Sequence, residues 1–198
     1  VSADYFSDSR PYEVRWHGRG GQGAVTAART LAQAAHLGGL GGATASPSFG
    51  AERRGAPVSA STRISPEPIM VVSQIESPDM VVVLDQTLLK DDEVIGGLGS
   101  GGWLVVNTAR PPDRLGVIGD FSVATADATA ICRELGVMVG GLIVVNTAML
   151  GAVARVSELV ALANIEEVIR RRFSNRSAEL NLAAIEKTYR TTLIERRP

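Results

Sequence analysis

Apolar and polar positions alternate over Tyr12-Glu-Val-Arg-Trp16, the period of a half-buried strand, and the pattern stops at the run Gly18-Arg-Gly-Gly-Gln-Gly23. A helix is predicted from Ala24 to His36, because Val25, Ala28, Leu31, Ala32 and Ala35 recur at three- and four-residue spacing, and Gly38-Gly39 ends it. From Gly41 to Pro57 the glycine, serine and proline content predicts a long loop carrying Glu52-Arg53-Arg54. Alternation returns at Val58, Ala60, Thr62 and Ile64, a strand with one buried face, and Ile69 to Val72 reads as a further short strand. Met80 to Leu84 and Leu104 to Val106 are continuous apolar runs, the pattern of strands covered on both faces. A short helix is expected over Gln86 to Lys90, and Gly96 to Gly102 forms a turn into the next strand.

Helices are expected over Asp127 to Leu135, with Asp127 as cap, and over Leu142 to Val156, which is nearly all apolar. Asn164-Ile-Glu-Glu167 has the form of a capping box opening a basic helix through Arg170-Arg-Arg172, and Ser177 to Arg197 reads as a last amphipathic helix. The βαβ rhythm predicts an α/β domain: three layers, α/β/α, with a mostly parallel sheet and a Rossmann-like glycine loop after its first strand. The whole chain, 1–198, is expected to be one module with an N-terminal arm over 1–11 and a C-terminal helix over 177–197. The pentad Val105-Val-Asn-Thr-Ala109 recurs as Val144-Val-Asn-Thr-Ala148, too short to indicate duplication.

Composition narrows the function. With 20 basic and 21 acidic residues the net charge is -1, so there is no basic surplus to displace counterions from nucleic acid. One cysteine, Cys132, cannot build a disulfide framework, a Cys-rich zinc site or an iron–sulfur cluster, and its apolar neighbours predict an inert core thiol. No stretch reaches the ~18 apolar residues of a membrane span, and the first ten residues carry no basic-then-apolar leader, so a cytoplasmic location is expected. No Ser-His-Asp set, metal-ligand pair or carboxylate dyad presents itself, and the expectation is a chain without its own catalytic centre.

The glycine spacing Gly18-x-Gly20-x-x-Gly23, between a strand and a helix, fits an anion held by bare backbone and by the helix's first N–H groups, with Arg19 adding charge; it equally fits a tight turn with no ligand. No carboxylate stands about 20 residues further on to hold ribose hydroxyls, whereas Arg53 and Arg54 suit a phosphate on the ribose, as in NADP or coenzyme A; pairing with Glu52 and a neighbouring subunit is the other reading. His17 abuts the loop, although a histidine satisfied by backbone is the commoner outcome, and His36 falls where a helix C-terminus favours a cation.

Four segments in order, Gly18-Arg-Gly-Gly-Gln-Gly-Ala-Val25, Ser48-Phe-Gly-Ala-Glu-Arg-Arg-Gly-Ala-Pro-Val58, Ser77-Pro-Asp-Met-Val-Val-Val-Leu-Asp85 and Asn146-Thr-Ala-Met-Leu-Gly-Ala152, resemble the gamma subunit of the pyruvate:ferredoxin oxidoreductase family, over roughly residues 13 to 190. The resemblance implies a non-autonomous subunit of an enzyme that oxidatively decarboxylates a 2-oxoacid, foremost pyruvate, to acyl-CoA and CO2. Thiamine diphosphate, magnesium and [4Fe-4S] clusters are then held by alpha, beta and delta partner subunits, and ferredoxin accepts the electrons. The implied role of this chain is to bind or position coenzyme A. The family's loop falls on Gly18, Arg19, Gly20, Gly21, Gln22 and Gly23, and its second signature on Ser48, Phe49, Gly50, Glu52, Arg53, Arg54 and Gly55, with Asp85 and Asn107 as weaker candidates. Fused members of the family place lysine near position 53, and Ala51 stands where an aromatic or proline is commoner. The alternatives are a gamma subunit for 2-oxoisovalerate, 2-oxoglutarate or indolepyruvate, or a free-standing NADP-binding reductase.

Overall fold

The computed structural model describes residues 6, 10–47, 55–70 and 73–197. Its first strand, β1 (Tyr12–Arg19), runs on past the predicted Trp16 and takes Gly18 into the sheet. Helix α1 (Ala24–Leu37) follows, then β2 (Gly42–Pro47) and β3 (Pro57–Ser65). After β4 (Met80–Val83) come two short 3-10 turns, Gln86–Lys90 and Asp92–Val94, then β5 (Trp103–Asn107) and β6 (Ser122–Ala126). The C-terminal half holds α2 (Ala128–Leu135), a hairpin of β7 (Met138–Val139) and β8 (Leu142–Ile143), α3 (Asn146–Val156), α4 (Leu162–Arg172), α5 (Asn175–Thr191) and β9 (Leu193–Glu195).

Seven strands form one sheet in the order β2-β3-β1-β4-β5-β6-β9. The central four, β1, β4, β5 and β6, are parallel, and β3, β2 and β9 add antiparallel margins. All five α-helices contribute to the larger core, against Val14, Trp16, Met80, Val82 and Val105. A thinner third layer, built from the 3-10 turns around Leu88 and Val94, covers Val81, Val83, Leu104 and Val106 on the other face. The α/β fold with a parallel centre is thus as the sequence implied, and its layers are unequal in depth.

Alternation along β1 sends Val14 and Trp16 to the helical side and Glu13, Arg15 and His17 to the other. Trp16 is fully buried, yet its indole N–H is satisfied: Nε1 donates to Thr62 Oγ1 at 3.0 Å, and that hydroxyl donates to the Ala28 carbonyl at 3.1 Å. One side-chain relay therefore pins β1, β3 and α1 together.

Several sequence expectations are corrected. The long loop from Gly41 contains β2, whose Gly-Ala-Thr-Ala-Ser-Pro composition hides a strand because its inward residues, Ala43 and Ala45, are too small to register as a hydrophobic stripe. Ile69 and Met70 belong to no strand, and Met70 is 89% exposed; residues 71 and 72 lie outside the described set. The helix predicted from Leu142 starts at Asn146, because Gly140 and Gly141 (φ 57° and 80°) supply a tight turn that folds Leu142-Ile143 back on Met138-Val139. Asn164 does not cap α4, which begins at Leu162 with Ala161 before it. The C-terminal helix spans Asn175 to Thr191, and the tail then pairs Leu193–Glu195 with β6. β6 itself, Ser-Val-Ala-Thr-Ala, has no apolar run to reveal it, although every residue in it is buried.

Helix α3 lies so close to α5 that Gly151 is a packing requirement. A Cβ there would overlap the Ile185 carbonyl oxygen and stand 3.0 Å from both Ile185 C and Tyr189 N, all backbone atoms that cannot step aside. Gly151→Ala is expected to destabilise the chain by about 1 to 3 kcal/mol, read as a lower urea midpoint with an unchanged slope.

Candidate functional site

Open α/β sheets offer ligands the carboxyl ends of their parallel strands. Here those ends bring together the Gly20 to Gly23 loop after β1, Asp85 to Thr87 after β4, Asn107 and Thr108 after β5, and Asp127 after β6.

The loop is closed from within. Gln22 Oε1 accepts the Arg19 N–H at 2.7 Å, and the Gln22 N–H returns to the Arg19 carbonyl at 2.9 Å. Gly20 is bound to the entrance of β3: its N–H donates to Ala56 O at 2.8 Å, and the Gly55 N–H donates to Gly20 O at 3.2 Å. Gly18 is a strand residue, facing Val58, and a Cβ on it would press within 3.3 Å of Leu84 Cδ1. Gly23 (φ 82°) ends the loop as the residue before α1, where a side chain would collide with Asn146, whose Cγ would be 2.9 Å away. Asn146 Nδ2 in turn donates to Gly23 O at 3.3 Å. Gly21 (φ 96°) has open space where a side chain would be, and no side chain caps the first turn of α1.

Arg19 is more engaged than a free anion ligand. Nε donates to Asp85 Oδ2 at 2.9 Å, one terminal nitrogen to Thr87 Oγ1 at 2.8 Å and the other to Gly55 O at 3.1 Å. Thr87 donates to Asp85 Oδ1 from both its N–H (2.9 Å) and its hydroxyl (2.7 Å). Burial pushes the Asp85 carboxyl up, but the Thr87 hydrogen bonds and the Arg19 guanidinium outweigh it and hold the group below its ordinary 3.8. Arg19 thus fastens the ends of β1 and β4 to the start of β3.

Two cavities lie near the strand ends, one of them against the loop. One of about 420 Å³ opens at the α1 terminus, with Gly21, Gly23, Thr26, Asn146, Arg172 and Asn181 on its walls. The other, about 680 Å³, lies on the polar sheet face beside His17, Ser59 and Thr87. A third, of about 750 Å³, sits at the opposite end of α1 near His36 and Arg171, away from the strand ends. His17 Nε2 is buried without a partner among the described residues. Burial, then the neighbouring Arg15 charge, lowers its pKa to about 4 against the pull of Asp91, so the imidazole is neutral at pH 7. Burial likewise pushes the Cys132 thiol up to about 12, as expected of an inert core cysteine.

Gly18 to Gly23 and Gly55 thus stand in one place. Ser48, Glu52, Arg53 and Arg54 lie outside the described residues, but Pro47 and Gly55 on either side are fixed, the first opposite Ala60 in β3 and the second on Gly20. Asn107 is structural: its side chain donates to Leu84 O and Thr129 Oγ1, both at 2.9 Å, and accepts the Thr129 N–H at 3.2 Å. Sequence reasoning missed Asn146 and Thr87. The repeated Val-Val-Asn-Thr-Ala was the available signal for the first, its Asn buttressing Gly23 here and bridging β4 to α2 at Asn107.

Among the described residues no cluster of His, Cys, Asp or Glu could hold a metal ion, and no helix is long and apolar enough to cross a membrane. A parallel-centred open sheet with a bare-backbone loop at its strand ends defines the class: an open α/β domain. The chain belongs to the pyruvate ferredoxin/flavodoxin oxidoreductase family, whose sequence model matches residues 13–191. It is 45% identical, over 92% of its length and 97% of the relative's, to the pyruvate/ketoisovalerate oxidoreductases common subunit gamma of Thermococcus kodakarensis. It is 44% identical to the pyruvate synthase subunit PorC of Methanocaldococcus jannaschii, over 91% and 97% of the two chains. Among solved structures it superposes on pyruvate oxidoreductase subunit PORC of Thermotoga maritima with a TM-score of 0.81 and 35% identity, covering 94% of this chain and 99% of that one.

Two titrations follow. Asp85→Asn is expected to cost about 1 kcal/mol at pH 7, a modest figure because the Arg19 pair is partly exposed. A depressed carboxyl stabilises the fold above its unfolded pKa and loses that contribution as pH falls through the folded value. The gap in urea midpoint between wild type and variant should therefore close below pH 3.8. His17 has the same sign: its neutral form favours the fold above 6.5, and the contribution is lost as pH falls toward 4. NMR of the imidazole should show no titration at pH 6.5, and His17→Gln should flatten the loss of stability across that window.

Proposed function

We propose that this chain is the coenzyme A-positioning gamma subunit of a cytoplasmic 2-oxoacid:ferredoxin oxidoreductase that converts pyruvate to acetyl-CoA and CO2, assembled with alpha, beta and delta subunits and passing electrons to ferredoxin. The observation that carries the reading is the pair of backbone hydrogen bonds joining Gly55 and Ala56 to Gly20. They hold one end of the segment bearing Arg53 and Arg54 against the loop whose open backbone at Gly21 leads into the uncapped first turn of α1. Bare N–H groups at a helix terminus suit a pyrophosphate, and a pair of guanidinium groups such as Arg53 and Arg54 suits the 3′-phosphate of coenzyme A.

The ligand is thus proposed to meet Gly20, Gly21 and Gly23 through backbone and Ser48, Arg53 and Arg54 through side chains. Gly18, Arg19, Gln22 and Gly55 shape the loop. This differs from the sequence reading at Arg19, whose donors already serve Asp85, Thr87 and Gly55. Thiamine diphosphate with magnesium and the [4Fe-4S] clusters supply carbanion stabilisation and one-electron transfer in this family. The donors here do not fit a cluster, since Cys132 is the single cysteine and is buried, so those groups are assigned to partner subunits. What this chain does is hold the nucleotide end of coenzyme A so that the thiol reaches the acyl adduct already oriented.

A second substrate reading has a specific motive: the Thermococcus relative is named as a subunit common to pyruvate and ketoisovalerate oxidoreductases. A gamma chain that touches only coenzyme A can serve either 2-oxoacid, because the acid-specific pocket lies on other subunits.

In the assembled enzyme, Arg53→Ala and Arg54→Ala are each expected to raise the coenzyme A KM about ten- to a hundredfold, the loss of one charge-assisted contact of about 1.5 to 3 kcal/mol. The KM for pyruvate should not move, and dephospho-coenzyme A should show almost no further loss in the variants. Unchanged coenzyme A kinetics in both variants, or protection of the loop by NADPH and not by coenzyme A, would overturn the proposal.

A further inference from the structure

A string of buried polar groups joins α5 to the glycine loop by way of α3. Asn146, Thr147 and Asn181 are 7%, 1% and 7% exposed, on helices whose Ala148, Leu150, Ala184 and Ile185 are fully buried. Asn181 Nδ2 donates to Ser177 O at 2.7 Å, and its Oδ1 accepts the Thr147 hydroxyl. The Thr147 N–H donates to Asn146 Oδ1 at 2.8 Å, and Asn146 Nδ2 donates to Gly23 O at 3.3 Å. Polar side chains are costly in a core that apolar ones could fill, so a string with each link paired marks a direction that packing alone does not fix.

What the string fixes is one peptide plane. Gly23 O also accepts the Ala27 N–H at 3.0 Å, the bond that opens α1, so this carbonyl is held by the helix and by Asn146 together. In a planar trans peptide the carbonyl and the next N–H point in opposite directions, so fixing Gly23 O aims the Ala24 N–H. That N–H is among the donors a helix start leaves free, and no side-chain cap or acidic residue in the first turn claims it. Gly23 has φ 82°, and Asn146 fills the space that a Cβ on it would need, so the plane is constrained from both sides. Asn146 lines the cavity of about 420 Å³ at this terminus; Thr147 does not.

We infer that Asn146 is a positioning residue for the ligand of the glycine loop, and that Thr147 and Asn181 hold its amide in the productive direction from α5. The inference rests on the coenzyme A reading and gives the ligand no further contact, because the amide acts through Gly23 O. Side chains that only filled space would need neither the direction of the amide nor the threonine hydroxyl.

The test measures steady-state kinetics and thermal inactivation of the assembled oxidoreductase. Asn146→Leu keeps the approximate shape, adds no charge and loses the donor to Gly23 O; the coenzyme A KM is expected to rise about tenfold. Thr147→Val, away from the cavity, is expected to raise it about three- to tenfold, and Thr147→Ser, which keeps the hydroxyl, to hold it at the wild-type value. The pyruvate KM should not move in any of them. The two substitutions fall on different residues, so either one that assembles decides the matter. Faster thermal inactivation with a wild-type coenzyme A KM, while Arg53→Ala still raises that constant, would overturn this inference alone and leave the string a purely structural one. Equal increases in the KM of both substrates would also overturn it, as general distortion. Loss of the Arg53 and Arg54 effects would remove the parent reading and this inference together.

Discussion

The structure depends on the two-sidedness of β1. Hydrogen-bonded to β3 on one edge and β4 on the other, it cannot rotate, so its alternation assigns every second residue to a fixed face. One face sends Trp16 into the Thr62–Ala28 relay beneath α1, burying the largest of the fully buried side chains with its polar atom satisfied. The other sends Arg15 and His17 to the serine rows of β2 and β3. A one-residue slip would exchange the two sets, placing a guanidinium in the helical core and an indole in the open cavity. The fold and the candidate site are therefore specified by the same register.

At the end of that strand, Arg19 converts register into loop geometry. Its planar group reaches a carboxylate, a hydroxyl and a carbonyl from three different segments at once, which a lysine's single nitrogen could not do with the same angles. Thr87 and Arg19 hold the Asp85 carboxyl below its ordinary range, despite partial burial. A positive charge spent on internal fastening is a different use from the one its place in the glycine run suggests.

The glycines divide by function in the same way. Gly18 and Gly151 are small because something else occupies the space, a leucine in one case and a helix backbone in the other. Gly23 combines a left-handed conformation with the close approach of Asn146. Only Gly21 in the loop faces open space with a backbone that favours glycine, which makes it the position whose bareness is available to a ligand.

The amino-acid order alone determined three of the four parallel central strands, β1, β4 and β5, together with α1, the glycine loop and the family, because apolar runs such as Met80 to Leu84 and motif spacing are local properties of the chain. It could not reveal β2, β6 or β9, whose small or mixed residues become strands only when a neighbouring strand supplies hydrogen bonds and burial. Nor could it show that Arg19 is spoken for. The carboxylate and the hydroxyl that hold it are 66 and 68 positions away, and the serine hydroxyls of β2 and β3 meet His17 and Arg15 only across strands. Local sequence names the chemistry available, but pairing across the sheet decides which groups are consumed in holding the fold and which are left facing solvent for a ligand.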